Sequence, residues 1–78
     1  MDLKTYLMVW FNSEGATPQT VVQKLREIGF KPMRGPYDSV YEWTKDVDID
    51  MIIQLGNTIH ETLNGLKVLY KLETIEDI

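Results

Sequence analysis

Arg34-Gly35-Pro36-Tyr37-Asp38-Ser39 stands near the middle of the chain, with one strand-like run entering it and another leaving it. Glycine supplies the positive φ that a tight reversal needs, proline fixes φ at about −65°, and an aspartate carboxylate bonds back to nearby backbone amides. The stretch predicts a hairpin tip. The other elements are placed by working outward from it.

On the near side, Phe30 to Arg34 reads as a short strand containing Pro32. Proline cannot donate to a ladder, so this strand is predicted at a sheet edge. On the far side, Ser39 to Lys45 gives a third strand with Tyr41 and Trp43 on one face and Val40, Glu42 and Thr44 on the other. Before the edge strand, Thr17-Pro18 reads as an N-cap with proline at the first helical position, where its missing N–H is harmless. Val21, Val22, Leu25 and Ile28 form the buried stripe of that helix, and Gly29 is its left-handed stop. The first strand is Leu3 to Phe11, joined to the helix by a polar loop over Asn12 to Ala16. Its odd positions Leu3, Leu7, Val9 and Phe11 make one apolar face, and its even positions Tyr6, Met8 and Trp10 make a second. A strand apolar on both sides belongs in the middle of a sheet.

Beyond the third strand, Asp48 is the expected N-cap of a second helix, with Asp50 favouring its positive end. The stripe Ile49, Ile52, Leu55/Gly56, Ile59, Leu63 follows helical spacing, with Gly56 expected to allow close approach to the sheet. Asn64-Gly65 ends it. Leu66 to Ile75 is the last strand, Leu66, Val68, Tyr70 and Leu72 opposing Lys67, Lys71 and Glu73, and residues from Thr74 to Ile78 read as a short tail. Charge on one side protects an edge strand from uncontrolled pairing.

The order β-α-β-β-α-β predicts an α+β, ferredoxin-like domain spanning residues 1–78, with a four-stranded antiparallel sheet in the order 4-1-3-2. Both helices are expected on one face. That leaves Tyr6, Met8 and Trp10, joined by Tyr41 and Trp43, on a bare face. An apolar patch of this kind marks an interface, here a homodimer packed sheet to sheet, or a multiple of such dimers.

Composition narrows the function. The 78 residues are 44% hydrophobic and 26% charged, ordinary globular values. Eight Lys+Arg against 12 Asp+Glu give a formal charge of −4, which repels a nucleic-acid backbone. The absence of cysteine removes disulfides, thiol catalysis and Cys-ligated zinc, and fits a reducing cytoplasm. The apolar run ending at Phe11 has neither the cleavage pattern of a signal peptide nor the length of a membrane span, so no membrane partner is expected.

The chemistry-bearing residues are sparse. His60 is the lone histidine, with no second one to join it as a metal ligand or base. Asp46, Asp48 and Asp50 alternate, but lack the glycine and distant glutamate of a calcium loop, and helix capping accounts for Asp48 and Asp50. Asn12-Ser13-Glu14-Gly15 lacks the lysine and repeated glycines of a phosphate loop. No nucleophile-base pair or cofactor fingerprint is present, and neither catalytic residues, cofactor nor metal is expected.

The sequence also resembles a known family. Gly35-Pro36-Tyr37-Asp38, followed by Val40-Tyr41-Glu42-Trp43 and an Asp-rich entry to the second helix, is similar to the effector-binding domain of the leucine-responsive/asparagine regulator (Lrp/AsnC) family, also called the RAM domain. The likeness covers roughly residues 5 to 75. It implies a small polar metabolite such as an amino acid held in a cleft between dimers; in a departure from the family, no helix-turn-helix stands before the domain, so a stand-alone domain unable to bind DNA by itself is expected. Gly35, Tyr37 and Asp38 are the residues it implies for that cleft. Where the family commonly has Thr-x-Thr in its last strand, this chain reads Leu72-Glu73-Thr74, which leaves Thr74 as the corresponding residue. Further readings stand beside it: a small archaeal-type family sharing only the dimeric ferredoxin-like fold; a structural or interaction protein that assembles through its sheet face or edge strands with no small ligand; and an enzyme of the dimeric α/β-barrel kind using His60 or a tyrosine.

Overall fold

Thr17 accepts the N–H of Thr20 at 3.2 Å through Oγ1, and Pro18 opens helix α1, Pro18–Glu27. The helix closes as its sequence predicts. Gly29 takes φ +105°, its N–H bonds to Arg26 O, and the N–H of Phe30 reaches back to Leu25 O at 3.0 Å. Two such bonds satisfy the last carbonyls. The second helix, α2 over Ile49–Leu63, is capped by Asp48, whose Oδ1 accepts the N–H of Met51 at 2.9 Å, and is followed by Gly65 at φ +83°. The computed structural model describes residues 2–44 and 46–77.

Strands β1 (Asp2–Trp10), β2 (Lys31–Pro32), β3 (Ser39–Glu42) and β4 (Leu69–Asp77) pair antiparallel in the order β2-β3-β1-β4. This is the predicted 4-1-3-2 order read from its other edge. Pro32 lies in β2 at that edge, where a missing N–H leaves no ladder bond unmade. The central β1 runs against β4 over its whole length, from Asp2↔Asp77 to Trp10↔Leu69. It meets β3 only from Lys4↔Glu42 to Leu7↔Ser39.

Leu7 and Val9 of β1, Val21 and Leu25 of α1, Phe30, and Leu55, Ile59 and Leu63 of α2 form one buried cluster. Both helices therefore cover the face that takes the odd residues of β1. Leu7, Val21, Leu25 and Ile59 are almost wholly buried, each contributing about 1.5–3 kcal/mol of transfer free energy.

The structure corrects several expectations. Tyr41 and Trp43 are on the helix side, not on the bare face. The ladder sets Tyr41 opposite the buried Thr5, and its ring packs at 5.5 Å from Phe30 and 4.8 Å from Trp43. The backbone of Gly29 runs beneath this ring, since a Cβ there would lie 2.8 Å from Tyr41 Cε2. Gly56 does not bring α2 close to the sheet, because a Cβ at that position meets nothing within 4 Å. Ile49 is 72% exposed and lies outside the stripe assigned to it. Phe11 follows the end of β1 and is exposed rather than part of its core face. Leu66 and Val68 precede β4 in a loop where Lys67 adopts φ +56°, and the supposed tail from Thr74 is strand as far as Asp77. Of the residues assigned from sequence, Lys45 at the end of the third strand and Ile78 in the tail lie outside the described residues.

Candidate functional site

The turn after β2 is built by backbone and side chain together. Gly35 takes φ +112°, a conformation costly for other residues, and the N–H of Met33 bonds to Asp38 O at 3.1 Å across the reversal. Asp38 then stitches the turn to β1 twice. Its N–H donates to Leu7 O at 2.9 Å, and its Oδ2 accepts the N–H of Val9 at 2.7 Å. The carboxylate thus extends the ladder past the last paired residue of β3. Oδ1 accepts no hydrogen bond among the described residues.

Tyr37 folds from the turn over the sheet face opposite the helices. Its ring stacks on Tyr6 with centroids 4.6 Å apart, and its hydroxyl donates to Glu73 Oε2 at 2.7 Å. The Glu73 carboxylate, which holds the phenolic proton and would repel a phenolate, raises the Tyr37 pKa above the ordinary tyrosine value. Tyr6 and Glu73 are direct partners in the β1–β4 ladder, so one turn residue bridges to the central strand and the far edge.

Thr74 has a different setting. Neighbours along a strand face opposite ways, so Thr74 lies on the helix side while Glu73 lies on the open side. Thr74 Oγ1 is 2.9 Å from Thr5 Oγ1, which also accepts the Trp43 Nε1–H at 2.9 Å. Thr5 is 2% exposed, and these bonds satisfy a hydroxyl that would otherwise be costly to bury. The structure therefore groups Gly35, Tyr37 and Asp38 and sets Thr74 across the sheet from them. Sequence reasoning passed over Glu73 and Thr5. The order 4-1-3-2 brings β1 beside β4, and the register of that ladder is what pairs each with its partner.

Around Tyr37, the open face carries Tyr6, Met8 and Trp10 from β1, Val40 from β3, and Leu69 and Ile75 from β4, as the register dictates. Trp10 and its partner Leu69 are 50% and 74% exposed. Among the side chains described, its charges are Lys4, Lys31 and Lys71 with Glu42 and Glu73. Trp10, Phe11, Asn12, Lys67, Val68 and Leu69 line a groove of about 410 Å³ at the end of β1.

His60 is exposed in the last turn of α2 and borders a groove of about 280 Å³ with Lys67 and Tyr70. Neither groove is lined by Gly35, Tyr37, Asp38 or Thr74. Among the described residues no group of three His, Asp or Glu side chains is placed to hold a metal ion, and no helix is long and apolar enough to cross a membrane. No family model matches the chain, and no curated protein or solved structure does so either.

Proposed function

We propose that this chain is a non-catalytic, cytoplasmic binding module that works as a homodimer closed through its open sheet face, with the Gly35–Asp38 turn at the rim of that face taking a small polar metabolite. Such a module would correspond to an effector domain of the Lrp/AsnC kind. The observation that carries the reading is the uncovered face itself. Tyr6, Met8, Trp10, Val40, Leu69 and Ile75 lie opposite both helices, with Trp10 and Leu69 largely in water. Contiguous apolar surface of this sort favours association. A two-fold axis would then set each turn beside the other protomer. Asp38 Oδ1, which accepts no hydrogen bond among the described residues, supplies an acceptor for an ammonium group, while Oδ2 remains committed to Val9.

Light scattering combined with thermal shift tests both parts. Trp10→Glu should halve the mass of the assembly while the far-ultraviolet spectrum is unchanged. Screening amino acids against wild type and Asp38→Asn should give stabilisation in the wild type that the variant loses, since asparagine keeps an acceptor for Val9 but removes the charge. A wild-type monomer at high concentration would overturn the dimer, and equal shifts in the two chains would overturn the metabolite site. Assembly without any ligand response would leave the sheet face as an interaction surface alone.

A further inference from the structure

We infer that β4 is a second, separate self-association site, through which two copies pair edge to edge about Leu72 and join their sheets into one. The inference does not rest on the sheet-face dimer, because it uses the rim of the sheet rather than its face.

The backbone supplies the first part of the argument. Trp43 N–H bonds to Leu3 O, Asp38 N–H bonds to Leu7 O, and Val9 N–H bonds to the Asp38 carboxylate. The odd residues of β1 thus direct their peptide groups toward β3 and its turn. In an antiparallel ladder the direction alternates, so the even residues of β1 bond to β4 through Leu69, Lys71, Glu73, Ile75 and Asp77. Tyr70, Leu72, Thr74 and Glu76 consequently turn their N–H and C=O groups outward at the free edge. No backbone or side-chain hydrogen bond reaches these groups among the described residues. The nine-residue strand is paired without interruption along β1, contains no proline and has no bulge, so its edge is long and regular. Such an edge is a template for another strand.

The side chains then select the partner and the register. Antiparallel pairing of β4 with its own copy about an axis at Leu72 sets Lys71 opposite Glu73 of the second copy, and Glu73 opposite its Lys71. It also sets Leu69 opposite Ile75 in both directions, and Tyr70 opposite Thr74. The outward peptide groups at residues 70, 72 and 74 meet one another in this register, as a ladder requires. An axis one residue earlier would place Lys71 on Lys71, and one residue later Glu73 on Glu73, and like charges directly opposite are destabilising. The charges that guard this edge against arbitrary strands therefore match a second copy of the chain in the register centred on Leu72 and oppose it in the two adjoining ones. The resulting sheet would run β2-β3-β1-β4 and then the same strands reversed, with both open faces on one side.

Charge exchange between chains is the test. By analytical ultracentrifugation on a Trp10→Glu background, which removes the sheet face, the otherwise unaltered chain should dimerise. Adding Lys71→Glu alone, or Glu73→Lys alone, should weaken that dimer at least about tenfold, because each places two like-charged pairs across the edge. Mixing the two variants should restore association, since every facing pair in the mixed dimer is then opposite in charge. A second readout does not depend on affinity. Facing residues of this kind lie about 4.5 Å apart at Cα, within disulfide range, so a Lys71→Cys chain mixed with a Glu73→Cys chain should oxidise to a linked heterodimer in preference to either homodimer. A monomeric Trp10→Glu chain, single charge variants that associate unchanged, a mixture that fails to recover, or cross-links without the mixed preference would each overturn the proposal.

Discussion

The side chain of Asp38 and the main chain of Val9 share a hydrogen bond of 2.7 Å, by which a turn carboxylate takes the place of a ladder residue. Beyond Leu7↔Ser39 the third strand has turned away, and Val9 would otherwise lack its partner on that side. Asp38→Ala should therefore cost about 1.5–3 kcal/mol of unfolding free energy in urea, as expected for a hydrogen bond to a charged group. Asp38→Asn should cost less, because its amide oxygen can accept the same N–H.

Two glycines should respond to alanine with opposite signs. A Cβ on Gly15 would lie 2.5 Å from Leu66 O and 2.9 Å from Lys67 O, so Gly15→Ala forces two loops apart at a cost of about 1–3 kcal/mol. Gly56 lies within α2 with open space where its Cβ would be. Gly56→Ala should stabilise by about 1 kcal/mol through helix propensity alone. Paired thermal melts read both.

The Thr5 hydroxyl holds Thr74 on one side and the indole of Trp43 on the other. Thr5→Val keeps the shape and removes both bonds, which should lower stability by about 1–3 kcal/mol. Combining it with Trp43→Phe, which deletes the stranded donor, should cost less than the two single changes added together. That shortfall, measured in a double-mutant cycle, is the signature of the shared bond.

Alkaline titration gives a fourth expectation. The Tyr37 phenol is raised because Glu73 accepts its proton, so the protonated form is favoured by folding. Its contribution to stability is complete below the ordinary tyrosine pKa of about 10 and disappears as pH rises through the higher folded value. Tyrosinate absorbance should show one late-ionising group that is missing in Tyr37→Phe and shifts toward the ordinary value in Glu73→Gln.

Much of the architecture was legible because it is written in local signals. Thr17 and Asp48 cap as their positions suggest, Gly29 stops α1 with positive φ, and Pro32 marks an edge. What local signals could not give was the facing of β3. Tyr41 and Trp43 alternate with Val40, Glu42 and Thr44, and where the open face of the sheet also carries large apolar residues an aromatic side does not by itself say which face is inward. Only the register against β1, which pairs Tyr41 with Thr5, decides it. The end of β4 was hidden for a similar reason. Thr74 to Asp77 has no apolar run, and it is strand because β1 extends far enough to bind it. The candidate turn was visible, whereas the partners of its side chains were not: Tyr37 and Glu73 are 36 positions apart, and Asp38 and Val9 are 29 apart.

The full-length pairing of β1 with β4 also bears on how the chain is made. Thr5 and Thr74, which touch, are 69 positions apart. β1, which is made before the other described elements, cannot fill one whole side of its ladder until β4, the last of them, has emerged. Closing so long a loop is slow compared with forming either helix. Until β4 has been made, the nascent chain thus carries an apolar central strand with an open flank, an interval in which chaperone capture competes with misassembly.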